Sequence, residues 1–82
     1  MRFLNADEQT SIFNVQMYLT VDEADALHGA LARLLRDPSA IEHEHVLAGD
    51  GLRELSVSLV TPEKLIDLSG YSKAEQAMFK ES

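Results

Sequence analysis

The sequence predicts an α+β two-layer domain: a three- to four-stranded, mainly antiparallel sheet with helices on one face. Three observations predict it. Residues 12–20 alternate apolar and polar side chains, residues 21–36 carry apolar side chains at helical spacing behind a capping box, and residues 41–60 read as a glycine-turned hairpin. A strand, a crossover helix and a returning hairpin together make a split β-α-β core.

Taken in order, Arg2-Phe3-Leu4-Asn5 and the polar run from Ala6 to Ser11 supply a short hairpin partner for the strand that follows. In that strand Phe13, Val15, Met17, Leu19 and Val21 share one face, while Asn14, Gln16 and Thr20 take the other. Thr20-Val21-Asp22-Glu23 then spells a capping box: the Thr20 hydroxyl accepts from the Glu23 amide, and the Glu23 carboxylate reaches back to the cap amide. Asp22 and Glu23 suit the positive end of the helix dipole and Arg36 the negative end. Ala24, Leu27, Leu31, Leu34 and Leu35 form the apolar stripe, and Pro38 forbids continuation, so the helix spans 21–36.

Strands over 41–48 and 52–60 form the hairpin, with Leu55, Val57 and Leu59 opposite in facing to Glu54, Ser56 and Ser58. Thr61-Pro62 opens a second helix that buries Leu65, Ile66 and Leu68 and stops at Gly70. Ser72-Lys73-Ala74-Glu75 is another capping box, opening a last helix to about Lys80 that docks through Tyr71, Ala74, Met78 and Phe79. The predicted order is β-β-α-β-β-α-α. Strand 52–60 sits centrally, antiparallel to 12–20 and 41–48, and the uncovered sheet face carries Asn14, Gln16, Tyr18, Glu54, Ser56 and Ser58. A homodimer through that face or the edge strand is one expectation.

Which face His43 and His45 take depends on the turn. A two-residue Asp50-Gly51 turn sets residues 44 and 42 opposite Val57 and Leu59, so two carboxylates point at the apolar layer. A three-residue loop, Gly49-Asp50-Gly51 with Gly51 left-handed, sets His45 opposite Leu55 and His43 opposite Val57 instead. Burying an unpaired carboxylate costs several kcal/mol, more than half-burying a neutral imidazole, so the second register is favoured. In it Glu42, Glu44 and Glu54 converge on the open face as an acidic, partner-binding patch.

The chain has 82 residues, enough for one domain over 1–82, and no cysteine for disulfides or thiolate metal sites. Its start lacks the apolar region of a secretory signal, and no apolar run approaches the roughly 18 residues of a membrane span. A cytoplasmic location is expected. The net charge of −7 is repelled by nucleic-acid phosphates and anionic membranes, so a basic protein is the partner the charge fits best, beside self-association.

No enzyme constellation stands out. Ser56 and Ser58 reach His43 or His45 only in the disfavoured register, and no nucleophile elbow accompanies them. Gly49-Asp50-Gly51 lacks the lysine and spacing of a phosphate loop. His-x-His on a strand can hold two corners of a metal site, but a catalytic zinc needs a third protein ligand and His28 sits on the long helix. No cofactor is expected.

The segments "MYLTVDEADALHGALARLL" and "RELSVSLVTPEKL" resemble those of short bacterial proteins of the polymorphic-toxin immunity type, a likeness that covers residues 14–65. The resemblance implies binding rather than catalysis: an acidic protein occluding a toxin's basic active surface. It carries over no site residue, because that class shares no site motif. The expected function is therefore a non-enzymatic, acidic protein-interaction module, immunity- or antitoxin-like. The alternative is a small-ligand or metal-binding regulatory domain using the open sheet face and the His43/His45 strand.

Overall fold

A computed structural model describes residues 1–39 and 43–81. Its elements are β1 (Phe3–Asn5), β2 (Thr10–Ile12), α1 (Val21–Arg36), β3 (Glu44–Leu47), β4 (Glu54–Val57) and α2 (Lys73–Phe79). The chain is α+β. Its described strands pair as two antiparallel two-stranded sheets, β1–β2 and β3–β4, in place of the single larger sheet that the alternation predicts. The chain divides into two compact units, Met1–Met17 with Ile66–Ser82, and Tyr18–Leu65.

The first unit joins the N-terminal hairpin to the last helix. In the β1–β2 loop the Asn5 side chain accepts from the amides of Asp7 and Glu8, both at 3.1 Å, and Gln9 closes the turn with φ of 58°. Ser72 opens α2 with both halves of the expected capping box in place. At the C-terminal end of α2 Arg2 adds donors: its Nε reaches the Met78 carbonyl, which also accepts from the Glu81 amide, at 3.3 Å, and its Nη2 reaches the Glu81 carbonyl just past the helix at 2.8 Å. Ser11 Oγ donates to the Glu81 carboxylate at 3.0 Å. Met78 is buried, and Tyr71 meets Phe79 edge-on with ring centroids 4.9 Å apart.

In the second unit α1 packs on β3. The helix has the predicted span and the predicted capping box. Its buried side differs from the predicted stripe. Ala30 and Leu34 are fully buried and Leu27 half-buried, whereas Ala24, Leu31 and Leu35 stay exposed. At 100° per residue the apolar arc from Ala30 round to Leu35 is about 140° wide, more than a two-stranded hairpin covers.

Two further expectations differ. Only Ile12 of the 12–20 segment belongs to a strand, and residues 13–20 are exposed throughout. Period-two alternation says that a strand there would have an apolar side; it does not say that a pairing edge exists. Residues 61–70 form turns rather than a helix. The Thr61 side chain does accept from the Lys64 amide, but the backbone bonds that follow are i→i+3, from Lys64 to Thr61 and from Leu65 to Pro62. So short a helix needs tertiary packing to persist. Ile66 is 84% exposed and supplies none.

Candidate functional site on the β3–β4 hairpin

The hairpin pairs Glu44 with Val57, His45 with Ser56, Val46 with Leu55, and Leu47 with Glu54. This overturns the favoured register, in which His45 faces Leu55 and His43 faces Val57. Gly51 is left-handed as expected, with φ of 71°, but the loop between Ala48 and Arg53 has an even residue count. The Ala48 amide donates to the Arg53 carbonyl at 2.9 Å, and the Gly51 amide returns to the Ala48 carbonyl at 2.9 Å. Asp50 holds the longer loop. One of its carboxylate oxygens accepts from the Leu52 amide at 2.8 Å, the other from the Arg53 guanidinium at 2.7 Å.

The electrostatic objection to this register is met by Arg33. Glu44 does point to the helix side, where it lies half-buried, but Arg33 Nε of α1 donates to its carboxylate at 2.9 Å. The desolvation cost applies to an unpaired carboxylate, and here the helix supplies the cation. Val46 beside it is buried, with Leu55 and Val57 half-buried on the same face.

A second carboxylate ties the hairpin to the helix. Glu23 Oε1 accepts from the Thr20 amide at 2.9 Å, completing the capping box, and Glu23 Oε2 accepts from the Gly49 amide at 2.9 Å. These amides, Thr20's first and Gly49's second, hold the Glu23 carboxyl below its ordinary value.

The opposite face of the hairpin gathers the polar groups. His43, His45, Glu54 and Ser56 are all exposed there. The His43 and His45 rings meet edge-on with centroids 4.6 Å apart. His45 Nδ1 lies 3.0 Å from Ser56 Oγ and is also in contact with the Glu54 carboxylate. Serine, histidine and carboxylate thus meet on one surface. Their connectivity is not that of a nucleophilic relay, which needs the carboxylate on one ring nitrogen and the serine on the other. Here both partners share Nδ1. When that nitrogen donates to Glu54 it has no lone pair with which to accept the Ser56 proton.

The acidic patch is the largest change from the sequence reading. Glu44 and Glu54 lie on opposite faces of the hairpin, and Glu42 falls outside the described residues. Of the three, the outer face carries Glu54 among the described residues, already against His45. Sequence reasoning missed the Arg33–Glu44 and Glu23–Gly49 ties; neither has a local signature. The Asp50–Arg53 spacing was the visible hint of the longer loop. His28 is exposed on α1, on a different element from the paired histidines. Among the described residues, no three His, Cys, Asp or Glu side chains stand where they could hold one metal ion.

Comparison with family models, curated proteins and solved structures finds no match. Among the described residues, no helix is long and apolar enough to cross a membrane.

Proposed function

We propose that this protein is a non-enzymatic interaction module, immunity- or antitoxin-like and acting in the cytoplasm, that binds a basic protein partner. One observation carries the reading: large apolar side chains lie on the surface. Phe13 and Tyr18 are each 85% exposed, and Val21, Leu52 and Ile66 are exposed to a similar degree. Among the described residues the buried apolar side chains are Ala30, Leu34, Val46 and Met78. Large apolar side chains this exposed are available for contact with a partner, and the −7 net charge favours approach by a basic protein. The shared use of His45 Nδ1 argues against a serine nucleophile.

The test is capture of partners on the immobilised chain, then association kinetics of the retained protein against salt. A basic protein should be retained, with an on-rate that falls as added salt shortens the Debye length below about 8–10 Å. Phe13→Ser and Tyr18→Ser should speed its dissociation. A partner indifferent to both salt and these substitutions would sink the reading.

A second reading, metal binding at the outer hairpin face, rests on the His43 and His45 rings, which meet with centroids 4.6 Å apart and offer two of a metal's ligands. Zinc titration of the intact chain checks it. Stoichiometric binding abolished by His43→Ala and by His45→Ala would move the function to that face.

A further inference from the structure

The stretch of α1 left exposed beside its buried side has a pattern of its own. Ala24, His28, Leu31 and Leu35 recur at i, i+4, i+7 and i+11, all exposed, with Leu35 at 66%. At 100° per residue this stripe is centred about 100° from the one formed by Leu27, Ala30 and Leu34. Asp25 and Arg36 both flank it, on the edge away from β3.

From this arrangement we infer that α1 packs antiparallel on the α1 of a second copy, making a two-fold symmetric dimer. The argument is complementarity of the helix with itself. In an antiparallel pair related by a dyad, each flank meets the same flank of the other helix. Ala24 then faces Leu35 of the second copy and His28 faces its Leu31, while Asp25 meets its Arg36. Both the apolar pairs and the charged pair are centred on the turn at residues 29–31, so one register satisfies them together. The antiparallel helix dipoles add to the fit, since each acidic first turn lies near a basic last turn. Arg33 does not compete for this role, because Glu44 of its own chain holds it. A foreign helix has no reason to place its charges at these matching distances; a second copy does so by construction.

One helix face per protomer is a small interface, below about 1,200 Å² in total, so the expected affinity is weak, with Kd on the order of tens to hundreds of micromolar. This inference does not depend on the basic-partner reading. The experiment is sedimentation of the full chain at fixed ionic strength from about 10 µM to 1 mM, spanning that Kd. A monomer–dimer equilibrium is expected. Leu35→Glu should weaken it at least ~10-fold, since it sets a charge in the apolar seam. Asp25→Lys and Arg36→Glu should each weaken it about 3- to 10-fold, because each places like charges together twice, and the double variant should return to within about 2-fold of the starting chain. Helical circular dichroism of each variant, unchanged in the monomer, separates a lost interface from a lost fold. A chain that is monomeric throughout overturns the inference and leaves the basic-partner reading standing. So does a dimer indifferent to Leu35→Glu, or a charge exchange that fails to restore association.

Discussion

At the scale of single residues, two side chains stand out for what their backbone surroundings ask of them. Glu23 accepts from amides on two elements, and its carboxyl is held below the ordinary value of 4.5. Its unfolded form therefore binds a proton more readily than its folded form. The stabilisation is fully present above pH of about 4.5 and is lost as pH falls through the lowered folded value. Glu23→Gln should accordingly lower the urea midpoint at pH 7, and the gap to the unsubstituted chain should be smaller at a pH below the lowered folded value, where the carboxyl is neutral. A gap of equal size at both pH values would mean that the charge plays no part. Asp67, lowered chiefly by the Ser69 amide, follows the same sign. Gln9 asks the reverse question, because it holds a left-handed φ of 58° with a Cβ attached. Gln9→Gly removes that clash and should stabilise the chain by up to about 1 kcal/mol, less what the unfolded glycine gains in freedom. Thermal unfolding decides it, and a lower melting temperature in the glycine variant would show that the Gln9 side chain matters more than its strain.

At the scale of elements, both helices with capping boxes were legible because every signal lies within four residues. Thr20 with Glu23 and Ser72 with Glu75 each satisfy the other's amide, whatever the rest of the chain does. The hairpin register was legible only in part: Asp50 and Arg53 stand three apart at the turn, but only the fold shows that Arg33 reaches Glu44. The side on which α1 is buried was not legible, because the apolar arc is wider than its cover. Leu34 and Leu35 make that last point measurable. Leu34→Ala opens a cavity at a fully buried position and should cost about 2–4 kcal/mol, a large part of the stability of so small a chain. Leu35→Ala should cost under about 0.5 kcal/mol in the monomer, as exposed positions do. Equal costs in denaturant titrations would mean that α1 is rotated from the position described.

At the scale of the whole molecule, capping and alternation gave the α+β class, but alternation overstated the sheet. Phe13, Val15, Met17 and Leu19 read as the inner side of a strand and instead lie exposed. With so little apolar surface buried, the heat capacity of unfolding should fall below the ~1 kcal/mol/K that scaling with length gives for a chain of this size. Calorimetry measures it directly, and a value at or above the scaling would show that more apolar surface is covered. The ties made by Arg2 bear on the order in which structure forms. They span 76 and 79 positions of sequence, to Met78 and Glu81, whereas Tyr18–Leu65 is one continuous piece of chain. In refolding, that piece can close its helix and hairpin before the Arg2 ties form, because its contacts are nearer in sequence. The β1–β2 hairpin precedes that piece in sequence, and its partner α2 follows it. A chain ending before Lys73 would thus keep α1 with its hairpin while leaving Arg2 and Ser11 without Met78 and Glu81 as acceptors.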